Sequence, residues 1–186
     1  MKLKQNEKND IVYADPAWRY ERAGVQGPPE KHYSTMSLED ICNLPVNKIS
    51  SDDCLLFLWA TFPMLREALE VIKRWGFKYK SVAFVWLKLN KSGKGWFYGL
   101  GFWTRGNAEI CLLATKGHPK RKSKKVHQFI ISPLRGHSRK PDETRDKIIE
   151  LAGDLPRIEL FARQKTEGWD VWGNEVECDI KLEELS

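Results

Sequence analysis

Short apolar runs rich in β-branched and aromatic residues alternate along the chain with helical spacings, the pattern of an α/β domain. Ile11-Val12-Tyr13-Ala14 reads as a brief strand that stops at Asp15-Pro16. Ser37-Leu38-Glu39-Asp40 predicts a helix start, with a Ser cap and acids in the first turn. The run from Cys54 to Ala60 has no polar alternation, so it predicts a strand buried on both faces of a parallel sheet. A helix follows: Pro63 lies in its first turn, Leu65, Ala68, Leu69, Ile72 and Trp75 mark one face, and Gly76 ends it. Val82 to Leu87, Glu109 to Thr115 and Gln128 to Ser132 read as further strands. Pro141-Asp142-Glu143 opens a helix that runs through Leu151 and Ala152 to Gly153, and Arg157 to Phe161 and Trp169 to Trp172 close the pattern as two strands. The expectation is a mostly parallel central sheet flanked by helices, in a single domain over residues 1–186 without repeat or linker.

Composition narrows the partners. The formal charge is +6, and the window 116–125 (KGHPKRKSKK) holds Lys116, Lys120, Arg121, Lys122, Lys124 and Lys125 with no acid, so the rest of the chain is formally neutral. A neutral body with one basic strip suggests a placed contact with a phosphate backbone rather than general adhesion to polyanions, although a solvated charge run is the alternative. Cys42, Cys54, Cys111 and Cys178 are widely spaced and form no C-x-x-C pair, so neither a disulfide framework nor a metal site is indicated. The polar start MKLKQNEKND has no signal-peptide core and no run approaches the length of a membrane span, which points to a cytoplasmic protein with no membrane partner.

Open parallel sheets place ligands at the carboxyl ends of their strands, which draws attention to Asp15-Pro16-Ala17-Trp18. A planar amine can donate its two hydrogens to the Asp15 carboxylate and the Pro16 carbonyl while its ring stacks on Trp18, an arrangement suited to the exocyclic amine of a base. The alternative is an Asp-Pro turn with Trp18 as core packing. The segment from Lys91 to Trp103 sets four glycines among five aromatics and reads as a ligand-facing loop.

Asp15-Pro16-Ala17-Trp18 resembles the D-P-P-W signature of the MT-A70 family of S-adenosylmethionine-dependent adenine N6-methyltransferases, of phage or bacterial type. The likeness continues through His32-Tyr33-Ser34-Thr35-Met36-Ser37 (Y-x-T-M-S), Leu56-Phe57-Leu58-Trp59 (L-F-L-W), Val85-Trp86-Leu87-Lys88 (W-V-K) and Ser138-Arg139-Lys140-Pro141-Asp142-Glu143 (S-[HR]-K-P-D-E). It ends with Ile158-Glu159-Leu160-Phe161-Ala162-Arg163 (I-E-L-F-[AG]-R) and Trp169 to Glu175 (W-x-x-x-G-N-[EQ]). Seven separated motifs in family order carry far more weight than any one of them. The resemblance implies a Rossmann-like class I methyltransferase fold with permuted motif order, the catalytic motif preceding the cofactor motif. It implies Asp15, Pro16 and Trp18 as catalytic residues and S-adenosyl-L-methionine as cofactor. Asp15, Lys140, Phe161, Arg163, Asn174 and Glu175 would hold that cofactor, with Lys140 on its methionine carboxylate and Arg163, Asn174 and Glu175 at its ribose and adenine end. Read without the motifs, Arg163 and Glu175 suit a surface ion pair and Asn174 a turn. Ala17 departs from the family's second proline, and Glu177-Cys178-Asp179-Ile180 resembles a C-D-I segment that larger relatives carry before the first strand.

Three functions remain on this reading: adenine N6 methylation of DNA, the same reaction on RNA, or a nucleic-acid-binding partner with weak activity. DNA is favoured because the appended RNA-binding domains of larger relatives are not in this sequence. Trp18 and Tyr33 would receive a flipped adenine, and Lys120, Arg121, Lys122, Lys124 and Lys125 would hold the flanking strand. Monomer and homodimer are left open.

Overall fold

The computed structural model describes residues 8–19, 35–99, 101, 103–136 and 139–182. Strand β1 (Asn9–Ala14) is followed by two short helices, α1 (Leu38–Cys42) and α2 (Val46–Ile49), and by the long strand β2 (Ser50–Ala60). A 3-10 turn (Phe62–Met64) leads into α3 (Leu65–Arg74), then β3 (Lys78–Leu89), β4 (Ala108–Lys116), β5 (Phe129–Pro133), α4 (Glu143–Ala152), β6 (Arg157–Leu160) and β7 (Asp170–Trp172). The predicted Ser37 cap is present: its hydroxyl accepts from the Asp40 amide at 3.1 Å. Pro141 lies just ahead of α4 rather than in its first turn, because Asp142 takes the cap position.

The described strands form one sheet in the order β5-β3-β4-β2-β1-β6-β7. It is mixed, not the mostly parallel sheet expected. β1 pairs in parallel with β2 and β6, β6 with β7, and β3 with β5, whereas β4 runs antiparallel to both β2 and β3. The direction of β4 is invisible in its composition, since an apolar run reads alike in either direction. Its reversal has two consequences for function. The first residues of β4 arrive where β1 and β2 end, and its last residue, Lys116, lies opposite Cys54 near the start of β2.

Period-two alternation divides the strands between two cores. Val12 and Ala14 of β1 and Leu56, Leu58 and Ala60 of β2 pack with Ile41, Val46, Ala68, Val71, Ile72 and Trp75 of the first three helices. Ile11, Tyr13, Leu55, Phe57 and Trp59 point the other way, toward Ile148 and Ala152 of α4. Burying both faces of β2 is what its unbroken apolar run required. On α3 the buried stripe is Ala68, Val71 and Ile72, continued by Trp75, while Leu65 and Leu69 of the predicted face are exposed at its margin. No described helix is long and apolar enough to cross a membrane.

Candidate active site

β1, running between β2 and β6, ends in the tetrapeptide that the sequence singled out. The chain turns sharply there: the Trp18 amide donates to the Pro16 carbonyl at 2.9 Å, and the Met36 amide donates to the Ala17 carbonyl at 3.1 Å. Trp18 is only 8% exposed, packs in the core and donates its indole N–H to the Trp59 carbonyl at 3.2 Å. Its ring therefore fixes the turn to β2 from within the core and does not stand free in the cleft.

Asp15 faces Lys140, which arrives just before α4. The ammonium lies 2.7 Å from Oδ1 and 2.8 Å from Oδ2 of Asp15, and 3.2 Å from Oε2 of Glu109. Glu109 in turn makes a close ion pair with Lys88 at the end of β3. The four side chains form a row of alternating charge, and the Lys140 ammonium also sits 5.7 Å from the centre of the Trp59 ring. Antiparallel β4 makes this row possible, since a parallel strand would deliver Glu109 to the other end of the sheet.

Burial makes each of these groups dependent on its neighbours. Burial pushes the Asp15 carboxyl above its ordinary range, against the pull of the Lys140 ammonium. Burial also raises Glu109, but Lys140 and Lys88 outweigh it and hold that carboxyl below its ordinary value. Lys140 loses solvation yet is held above the usual lysine range by its two carboxylates. Asp15 thus combines a strongly placed counter-ion with a heightened affinity for a proton.

A second ion pair lies beneath the first. Arg145 of α4 grips Glu159 of β6 through two contacts of 2.8 Å, and its guanidinium sits 5.7 Å from the centre of the Tyr13 ring. Tyr13 accepts the Trp59 indole N–H at 2.8 Å. After β6, Phe161 takes a left-handed backbone conformation, φ 61°, the only non-glycine residue among those described to do so. Its ring meets Trp172 edge-on at 5.5 Å. A shallow cleft, open to solvent, is lined by Asp15 and Lys140, by Phe161, Arg163 and Gln164, and by Tyr13, Arg145 and Glu159.

The MT-A70 family model matches residues 9–175, almost the full span of this sheet and site. The chain belongs to the MT-A70 family. It is 32% identical to the Type II methyltransferase M.MunI of Mycoplasma sp over 95% of this chain and 81% of that protein. It is 28% identical to the N(6)-adenosine-methyltransferase catalytic subunit METTL3 of Homo sapiens, over 90% of this chain but 28% of that one. A putative N(6)-adenosine-methyltransferase MT-A70-like protein of Medicago truncatula is 30% identical over 91% of this chain and 26% of its own length. The chain therefore spans about a quarter of these plant and human relatives.

Within this MT-A70 fold, Asp15, Lys140, Phe161 and Arg163, far apart in sequence, line one cleft. Glu175 is exposed and joined to Arg163 at 3.9 Å, and Asn174 is exposed beside it. Cys178-Asp179-Ile180 closes on β7: the Asp179 amide donates to the Val171 carbonyl at 2.9 Å, and its carboxylate accepts from the Val171 amide at 3.1 Å and from Lys165 at 2.8 Å. Tyr33 lies outside the described residues. Of the aromatic, glycine-rich segment after β3, residues 91–99 start at the cleft end, where the Phe97 amide donates to the Lys88 carbonyl at 2.9 Å.

The basic window does not flank the cleft, contrary to the expectation. It follows the end of β4 and therefore starts at the opposite edge of the sheet, where the His118 amide donates to Asp53 at 2.7 Å. It then crosses to the last turn of α4, where the Lys122 amide donates to the Leu151 carbonyl at 2.7 Å. Sequence reasoning missed Glu109, Lys88, Arg145 and Glu159. A signal existed for the two acids, each set in an otherwise apolar strand, because a carboxylate on a buried strand needs a buried cation.

Proposed function

We propose that the chain transfers the methyl group of S-adenosyl-L-methionine to the N6 amino group of adenine in nucleic acid, with DNA as the substrate, in the cytoplasm. The observation that carries this reading is the Asp15–Lys140 pair in the lining of the cleft, at the residue that precedes Pro16. The DNA reading is supported by the type II methyltransferase, whose match extends over most of both chains, while the adenosine methyltransferases match over about a quarter of theirs.

The cleft suits the cofactor chemically. The cofactor carries a carboxylate, an ammonium and a sulfonium, and the lining offers both signs of charge in Lys140 and Asp15 together with an apolar surface at Phe161. Lys140 would hold the carboxylate, and Arg163, Asn174 and Glu175 the ribose and adenine end. The strand order supports a Rossmann-like fold with permuted motifs: β6, late in sequence, lies beside β1, early in sequence, so the turns after both reach one crevice.

When bound, the cofactor supplies an electrophilic methyl group whose C–S electron pair returns to sulfur as the N–C bond forms. Asp15 and the Pro16 carbonyl each accept one hydrogen of the amine, which withdraws its lone pair from the ring and aims it at the methyl. Asp15, raised by burial, takes the proton that the alkylated nitrogen must lose. Trp18 holds the Asp15-Pro16 turn against β2. The test is transfer of labelled methyl to matched DNA and RNA oligonucleotides with mapping of the modified base. The wild type should label adenine N6, preferentially in DNA, and Asp15→Asn should reduce labelling by about 10³-fold or more while binding cofactor. Equal labelling by Asp15→Asn would remove Asp15 from the chemistry, and preferential labelling of RNA would overturn the DNA assignment.

A further inference from the structure

Every strongly buried cation near the cleft is paired, but the chain's excess charge stands elsewhere and is not. Lys120, Arg121, Lys122, Lys124 and Lys125 are all exposed, and none makes an ion pair with a described residue. Lys116, the sixth basic residue of the window, is used structurally: its ammonium donates to the Asn47 and Ser50 carbonyls at 3.3 and 3.4 Å. Two nearby acids are engaged elsewhere, Asp53 by the His118 amide and Asp154 by Arg157 at 2.6 Å.

The backbone of the strip is held at Lys122, Ser123 and Lys125. Amides of Lys122 and Ser123 both donate to the Leu151 carbonyl, at 2.7 and 3.2 Å, and the Lys125 amide donates to the Ser123 hydroxyl at 3.1 Å. Lys147 of α4 then holds the His127 carbonyl at 3.1 Å. Exposed Lys78 and Lys80 continue the positive surface on β3, Lys78 lying opposite Thr115. Like charges spaced this closely repel, and a fixed backbone prevents them from spreading apart.

We propose that this strip is a second nucleic-acid contact, at the edge of the sheet opposite the methyl-transfer cleft, which binds the phosphodiester backbone without reading bases. It rests on the nucleic-acid substrate proposed above. β2 alone separates the two edges by about 20 Å from Cys54 to Ala60, at ~3.3 Å per residue. One nucleic acid contacting both must therefore continue past the target base and around the domain. Phosphodiester chemistry is common to DNA and RNA, and five contacts of this kind make affinity steeply salt-dependent.

The test is anisotropy of labelled duplex DNA of about 30 base pairs and of an RNA strand of equal length, titrated with the full chain from 50 to 300 mM salt without cofactor. The variant replaces all five residues by Gln, and a second replaces the four lysines by Arg. Neutralisation should lower the slope of log affinity against log salt by about 3 to 5 for duplex DNA, at ~0.9 per contact, and weaken binding at least tenfold at low salt. The Arg variant should retain the wild-type slope. A larger slope change with DNA than with RNA, or the reverse, identifies which backbone the strip prefers. An unchanged slope with both nucleic acids overturns the proposal, as does tighter binding to phosphatidylserine vesicles that is lost in the same variant. Because no turnover is measured, failure of methyl transfer leaves this result readable, and repeating the titration in the Asp15→Asn background separates the two readings.

Discussion

The two edges of the sheet carry charge in opposite ways. At the edge where β1 ends, Lys88, Glu109, Lys140 and Asp15 alternate in sign, and all four side chains are only 10–19% exposed, each neutralised by the next. At the edge where β4 ends, five cations stand in solvent with no ionic partner among the described residues. Desolvated charges must be paired, and they acquire altered proton affinities and fixed geometry in return. Solvated charges can remain unpaired, and they keep long-range attraction for a polyanion that salt removes. The first arrangement suits chemistry on a small group and the second suits holding a long one.

Removing the central cation should have the largest effect. Lys140→Ala leaves the Asp15 and Glu109 carboxylates facing a void, and should lower stability by about 3–5 kcal/mol in urea unfolding. In calorimetry it should weaken cofactor binding more than nucleic-acid binding, and the reverse order would contradict its assigned place. Glu109→Gln keeps the shape but loses the charge and one of the two acceptor oxygens that face Lys88 and Lys140, and because both lysines remain in place a smaller loss of about 2–3 kcal/mol is expected. The sign of its pH dependence follows from the lowered Glu109 carboxyl. Its stabilisation is present above the ordinary value of 4.5 and is lost as pH falls through the lower folded value. The gap between wild type and Glu109→Gln should accordingly be widest near neutrality and close in acid, and a gap independent of pH would mean that charge is not the cause.

A Cβ on Gly173 would lie 2.2 Å from the Ala162 carbonyl oxygen, so Gly173→Ala should cost about 1–3 kcal/mol by parting the turns after β6 and β7. That loss should be insensitive to pH, in contrast to Glu109→Gln. The smallest effect belongs to the far edge. Replacing Lys120, Arg121, Lys122, Lys124 and Lys125 by Gln should alter stability by no more than about 0.5 kcal/mol, because the side chains are exposed and unpaired. A large drop in melting temperature would show that the strip supports the fold.

Much of the cleft was legible in the chain itself. The strand that delivers Asp15, the segment before α4 that delivers Lys140 and the turn that delivers Phe161 and Arg163 each have a local pattern and a motif, so their convergence could be anticipated. Trp18 is the instructive exception. Its position after a strand is compatible with either stacking on a base or packing inward, and the bond from its indole to the Trp59 carbonyl places it inward. Glu109 and Arg145 escaped because their importance lies in partners 31 and 14 residues away, Lys140 and Glu159, and a helix or strand period records no such pairing.

The sequence by itself determined where the main strands and helices lie, the apolar positions from which the core is drawn, which motifs they present and where the net charge is concentrated. All of these are properties of a residue and its near neighbours. Only the tertiary structure decided the direction of β4. An apolar run has the same hydrophobic free energy whichever way it points, and the choice rests on pairing with β2 and β3. That one choice carries Glu109 to the cleft and the basic strip away from it.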